Sequence, residues 1–167
     1  MWRKRLLGVL VALVVASAFA ATRQNSGSPA PGDQDVAVVR IVDGDTLIVT
    51  GGVRVRLIGI DTPESADPRR PVECFGREAA IALGRLVPPG TPVRLVYDVD
   101  RTDRFGRTLG YLYRQQDNLF VNAALVQQGY AHAATYPPNV AHAVELAALA
   151  RQAREGNSGL WGGCPSQ

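Results

Sequence analysis

Five short strand signals, a helical stripe between the third and fourth of them, and two further helices toward the C-terminus predict an α+β chain. The expected architecture is a five-stranded Greek-key β-barrel of the OB type with about three helices. The 167 residues suffice for one such domain plus additional segments. With 46% hydrophobic and 20% charged residues the chain can bury a real core, which excludes a disordered polypeptide.

The elements follow in order. Residues 36–42 are rich in β-branched side chains and end at the turn signal Asp43-Gly44. Residues 46–50 form the second strand, and Gly51-Gly52 supplies a hairpin turn. The third strand, 53–60, alternates: Val53, Val55 and Leu57 share one face, Arg54 and Arg56 the other. Pro68 and Pro71 mark a loop. A helix is expected over 73–86, with Phe75, Ala79, Ala82, Leu83 and Leu86 as its apolar stripe and Pro88-Pro89-Gly90 as its stop. Residues 93–97 and 108–113 are two more strands, joined by a polar segment. A short helix covers 121–128. The last helix is expected to begin after Asn139 as N-cap and to stop at Gly156.

The N-terminal residues 1–20 read as an export signal. Arg3, Lys4 and Arg5 are the basic start, 6–20 the apolar run, and Ala18-Phe19-Ala20 the small residues that signal peptidase requires. The alternative is an uncleaved membrane anchor through residues 6–20, a run short of the ~20 residues usual for a span. Residues 21–35 read as a flexible Gly/Ser/Pro-rich linker, and 36–167 as the folded domain. A secreted or extracytoplasmic protein matures where disulfides persist, so Cys74 and Cys164 are expected to pair and fasten the tail to the middle of the domain.

The formal charge of +3 suggests affinity for polyanions, but Arg3, Lys4 and Arg5 supply the whole excess; the remaining 15 basic and 15 acidic residues balance. Attraction to phosphates must therefore come from locally placed arginines. Asp43, Asp45, Asp61 and Glu64 lie at the ends of neighbouring strand signals, where a meander would bring them together. Their oxygens suit a hard cation such as Ca²⁺. No His or Cys cluster has zinc spacing. Taken singly these carboxylates are ordinary turn residues. Arg56, on the strand that leads to Asp61, and Arg107, at the start of the fifth strand, change that reading. Guanidinium groups match the charge that builds on a phosphodiester as it becomes pentacoordinate. A cation, a carboxylate base and two arginines make a sufficient set for hydrolysing such a bond.

At these residues the sequence resembles the staphylococcal (micrococcal) nuclease, or thermonuclease-like, family, in a secreted, disulfide-bearing branch. The stretches that carry the resemblance are VVRIVDGDTLIV, VRLIGIDTPES, DPRRPVECFGREA, RTDRFGRTLGYLY, VNAALVQQGYA and the terminal GLW, collinear over residues 36–162. The resemblance implies calcium bound by Asp45, Asp61 and the Thr62 carbonyl, with Glu64 as general base on the attacking water. It assigns Arg56 and Arg107 to the scissile phosphate, Asp43 to a secondary acidic role, and Arg70 and Arg104 to a terminal phosphate or the strand. Water would attack phosphorus, the 5′-oxygen would leave, and DNA and RNA alike would give 3′-phosphate products. Phe105 stands where the family has a tyrosine, so ring stacking survives without the hydroxyl. The segment AATYPPN is one residue shorter than its counterpart, leaving Tyr136 for the nucleotide. A monomer with a nucleic-acid substrate and no obligatory protein partner is expected, with a membrane contact only through an uncleaved N-terminus. The competing reading is a non-catalytic OB-type nucleic-acid-binding module. His132 is expected on a strand at or near the surface, and His142 as a solvated residue of the last helix. Trp161 is expected as a core plug, and Glu73 and Glu78 as acidic support for the first helix.

Overall fold

The computed structural model describes residues 32–69 and 71–165. The expected export segment 1–20, residues 21–31 of the expected linker and Arg70 lie outside the described residues. Strand β1 (Gln34–Asp43) is long because it serves two partners. Its first residues pair antiparallel with β5 (Pro92–Val96), and its last with β2 (Thr46–Val49). Register shifts on either side of Arg40 and Ile41 bend the strand between them, as bulges do. β3 (Val53–Leu57) continues the meander beside β2, and β6 (Thr108–Arg114) lies beside β5. A parallel pairing of β3 with β6, Val55 opposite Thr108 and Leu57 opposite Gly110, closes the five strands into a barrel. Closure leaves no long free edge.

The strand interiors face inward as their alternation requires. Leu47, Val55, Leu57, Val93, Leu95 and Leu112 are fully buried. Helix α1 (Gly76–Leu86) covers one end with Ala82 and Leu83; α2 (Val121–Gln127) adds Val121 and Leu125; α3 (Ala143–Glu155) adds Leu146 and Ala150. Each buried leucine contributes about 2 kcal/mol by leaving water. Asn122 belongs to the same core and is satisfied there: its Oδ1 accepts the Leu112 N–H at 3.0 Å, and its Nδ2 donates to the Ile58 carbonyl at 2.8 Å.

Several expected boundaries move, each for a local reason. The barrel begins at Gln34, because pairing with β5 extends β1 beyond its apolar stretch. The third strand stops at Leu57. Gly59 has φ +78°, and Ile60–Asp61 leaves the barrel as β4 to pair with β8 (His132–Ala133); His132 is half-buried on a strand as expected, but the pairing was not foreseen. A further two-residue strand, β7 (Leu119–Phe120), lies beside β6. Helix α1 starts only at Gly76, since Cys74 is in a disulfide and Phe75 is left-handed with φ +69°. Asn139 caps no helix. It is buried, its side chain accepting the Asp100 N–H at 2.8 Å and donating to the Asp100 carbonyl at 2.9 Å, so α3 begins later, after His142.

His142 is half-buried rather than solvated, with its ring centroid 4.5 Å from that of Tyr111 and 4.6 Å from that of Phe120. Trp161, in the terminal turn α4 (Leu160–Gly163), is half-buried rather than a core plug. The Arg154 guanidinium lies 4.4 Å from its ring centroid, and His132 meets it edge-on at 4.8 Å. The expected disulfide is present: Cys74 and Cys164 are joined across 90 residues with 5.9 Å between their Cα atoms. A loop of that length closed in the unfolded chain corresponds to about 4.6 kcal/mol of stabilisation in the chain-entropy account. Among the described residues no helix is long and apolar enough to cross a membrane.

Candidate active site

The site is built where the β1–β2 turn, the end of β3 and the departing strand β4 meet. Opposite-strand pairing of Thr46 with Arg56 sets the Arg56 side chain beside the turn. Asp45, in the turn, is buried yet fully engaged. Its Oδ1 accepts the Thr46 hydroxyl at 3.0 Å, and its Oδ2 accepts the Thr62 N–H at 3.1 Å and the Thr62 hydroxyl at 3.0 Å. The same Oδ2 pairs with Arg56 Nη1. The other prong of that guanidinium, Nη2, reaches Asp61 Oδ1 at 2.6 Å. One arginine thus joins two carboxylates from different elements. The packing leaves no room for a side chain at Gly44: a Cβ there would stand 2.7 Å from that of Ala79 and 2.8 Å from the Thr62 hydroxyl.

Burial is the main influence on the Arg56 guanidinium and lowers its pKa. Asp61 opposes that, and Arg107 adds to it by repulsion. Two cations close enough to repel form a place where an anion is stabilised, provided it arrives with little competing water.

Glu64 lies in a neighbouring group with Asp43 and Ser65. Its Oε1 accepts the backbone N–H groups of Ala66 at 2.7 Å and Asp67 at 3.0 Å. Partial burial raises its pKa, but a hydrogen bond from the Asp43 carboxyl and those backbone donors outweigh this and hold the group below the usual carboxylate range. Asp43 shifts upward: burial and the adjoining Glu64 carboxyl favour its neutral form, although the Ser65 hydroxyl opposes them. One carboxyl of the pair is thus driven toward ionisation and the other toward protonation.

Arg107 is fixed by a different device. Asp103 Oδ1 accepts the N–H groups of Phe105 and Arg107, each at 2.9 Å, and Oδ2 accepts Arg107 Nε at 2.6 Å. The turn is closed further by the Asp103 N–H on the Arg107 carbonyl, with Gly106 at φ +76°. Phe105 projects from its tip, 69% exposed, with the Arg104 and Arg107 guanidiniums 4.8 and 5.6 Å from its ring centroid. Tyr136 stands 65% exposed across the same opening. Together with Arg56 these residues line a cleft of about 560 Å³. A larger depression of about 830 Å³ lies on the side of Asp61 that faces the disulfide and Trp161.

Among the described residues no group of three or more His, Cys, Asp or Glu side chains is placed to hold a metal ion. The residues expected to do so fit a hard cation in kind: Asp45 and Asp61 each contact one prong of the Arg56 fork, and Thr62, whose N–H is on Asp45, adjoins them. The structure therefore brings Asp45, Asp61, Thr62 and Arg56 into direct contact. It sets Arg107, Arg104, Phe105 and Tyr136 around the adjacent cleft, and places Glu64 in the flanking loop. Asp103 was not among the expected site residues, although its place in the D-R-F-G-R stretch, one turn before Arg107, was a usable signal. Glu73 was expected only in a helix-dipole role.

The chain is similar to known proteins over most of its length. Residues 54–163 match the family model described as Staphylococcal nuclease homologue. A thermonuclease of Staphylococcus hyicus is 32% identical over 163 residues, which cover 93% of this chain and 95% of that protein. A thermonuclease of Staphylococcus intermedius is 36% identical over 127 residues, 74% of each chain. An SPbeta prophage-derived endonuclease of Bacillus subtilis (strain 168) is 36% identical over 132 residues, 76% of this chain and 44% of that protein.

Proposed function

The chain belongs to the family of staphylococcal nuclease homologues, and from that premise we propose that it is a nuclease, a metal-dependent hydrolase of phosphodiester bonds in DNA and RNA. The observation that carries the proposal is the Arg56 guanidinium, buried between Asp45 and Asp61 and within electrostatic reach of Arg107. A structural ion pair has no use for a second, repelling guanidinium; a phosphate site does. The acidic residues in turn argue against a module that only binds, since two carboxylates beside the arginines would repel a phosphodiester in the absence of a cation.

The proposed cation is Ca²⁺, held by Asp45, Asp61 and the Thr62 carbonyl; when bound it supplies positive charge to the phosphate and a position for water. Arg56 and Arg107 bind the phosphate oxygens through paired N–H groups, and those bonds strengthen as negative charge grows. Glu64, ionised at neutral pH, takes the proton of the attacking water. The bond to the 5′-oxygen breaks, that oxygen takes a proton from solvent to leave as a 5′-hydroxyl, and the other product carries a 3′-phosphate. Phe105 and Tyr136 offer ring faces to the flanking nucleotides, and Arg104 a further phosphate contact; for Arg70, outside the described residues, the same role rests on the family resemblance alone. The Cys74–Cys164 bond supports an extracytoplasmic location, with residues 1–20 as export signal or anchor.

The test is digestion of plasmid, single-stranded DNA and RNA with calcium or with a chelator. The expected outcome is cleavage only with calcium, and a loss on the order of 10²–10⁴ in turnover for Glu64→Gln and for Arg107→Ala in chains that still fold. Digestion that continues unchanged in chelator would remove the metal from the mechanism. Retarded mobility without digestion would identify a binding module instead.

A further inference from the structure

Resting on the reading of Glu64 as the base, we propose that Glu73 is a positioning residue for Glu64 and that the Cys74–Cys164 disulfide holds Glu73 in place. The loop after Asp61 leaves the barrel, and its Glu64 side chain is bonded mainly within the loop itself, to the N–H groups of Ala66 and Asp67. Those bonds shape the loop itself. Ser65 ties it to Asp43 on one side, and Glu73 ties it on the other. Its N–H donates to the Glu64 carbonyl at 2.9 Å, and its Oε2 accepts the Glu64 N–H at 3.0 Å. Both main-chain polar groups of the proposed base are thus bound by one residue.

Glu73 is itself anchored from the far end of the chain. The next residue, Cys74, is bonded to Cys164, whose N–H donates to the Leu160 carbonyl at 3.0 Å in the terminal turn α4. The Phe75 ring closes on that turn so tightly that a Cβ at Gly163 would stand 2.5 Å from its edge, and its centroid is 6.0 Å from that of Tyr130. The start of α1 presses on the same carbonyl as Glu73 does, since a Cβ at Gly76 would fall 2.7 Å from the Glu64 oxygen. Glu73 precedes α1, whose first turn holds Glu78 as its acidic residue. The expected dipole role therefore describes Glu78, and Glu73 serves the loop. Cys164, at the far end of the sequence from Glu64, is thereby two bonded steps from the base: Cys164 to Cys74, and Glu73 to Glu64.

The experiment uses the oxidised full chain with calcium and a fluorogenic oligonucleotide. Glu73→Ala is expected to lower kcat about tenfold while KM stays within about twofold, because a displaced base costs transition-state geometry and not binding. Glu73→Gln keeps an amide oxygen that accepts the Glu64 N–H, and is expected to recover most of the rate. The Cys74→Ser/Cys164→Ser pair, with its fold checked by circular dichroism, is expected to lower kcat by a similar factor, and Glu73→Ala added to it should lower the rate little further. In a Glu64→Gln chain, Glu73→Ala should leave the residual rate unchanged. Should the double serine chain not fold, the parent chain with its disulfide reduced takes its place; full kcat in a folded chain without the disulfide overturns the disulfide's part in the proposal. Wild-type kcat in Glu73→Ala overturns the proposal, and so does a loss that adds in full to that of Glu64→Gln. Full turnover in Glu64→Gln overturns the base assignment first and this inference with it.

Discussion

Arg56 and Arg107 present the same guanidinium to the same cleft, yet the chain holds them in unlike ways. Arg56 rises from a barrel strand and is shared by two carboxylates that arrive from a turn and from a departing strand. Arg107 is held by one carboxylate within its own turn, where Asp103 binds both its backbone and its side chain. The first arrangement depends on barrel register, the second only on local sequence. Damage at Arg56 should therefore reach folding as well as activity, and damage at Arg107 activity alone.

The largest expected effect tests that contrast. Arg56→Ala leaves Asp45 buried beside its remaining donors without a cation, which should cost about 3 kcal/mol in chemical denaturation as well as turnover. Arg107→Ala should stay within about 1 kcal/mol of the parent, because its partner Asp103 keeps two backbone donors. Equal stability losses in the two variants would erase the distinction.

A smaller effect sharpens it through pH. Burial raises the Asp103 pKa, but the Arg107 backbone and side-chain bonds outweigh this and lower it from the ordinary 3.8. A carboxyl with a depressed folded pKa gives stability that is fully present above its unfolded pKa and is lost as pH falls through the folded value. Asp103→Asn should remove about 1 kcal/mol near pH 7 and flatten the stability curve below pH ~4. Asp43, raised by burial, has the opposite sign: its contribution is present below its unfolded pKa and fades as pH rises through the folded one. An Asp103→Asn chain that keeps the parent's full acid sensitivity would show that this turn does not carry it. The smallest effect is at the exposed tip. Phe105→Tyr adds a hydroxyl to a ring already flanked by Arg104 and Arg107, and should tighten oligonucleotide binding by about twofold to fivefold, under 1 kcal/mol, without changing kcat.

Much of this was legible from residues alone, and the places where it was not are instructive. Alternation in 53–57 correctly put Val55 and Leu57 inward, because period two is a property of the strand itself. The end of that strand was read too late, because Ile60 is equally apolar and β-branched whether its strand continues in the barrel or pairs with β8. The helix before Gly76 was read too early, because an apolar stripe does not report that a disulfide and a left-handed Phe75 occupy the preceding residues. Asn139 looked like a cap, since the side chain that caps a helix can also hold a distant backbone segment, here Asp100.

The acidic residues divide along the same line. By itself the sequence determined the barrel class, the cysteine pair and the order of carboxylates and arginines along the chain, since these follow from period, redox chemistry and spacing that survive without tertiary contacts. Which carboxylate meets which arginine was decided only in three dimensions. Asp45 and Asp61 close on Arg56 because strand register and a glycine turn bring them there. Glu64, three residues beyond Asp61, is carried into another group by backbone donors of its own loop and by Glu73. Hydrogen bonds reach only about 3 Å, so side chains that are neighbours in sequence need not share a partner, and only the folded backbone assigns one.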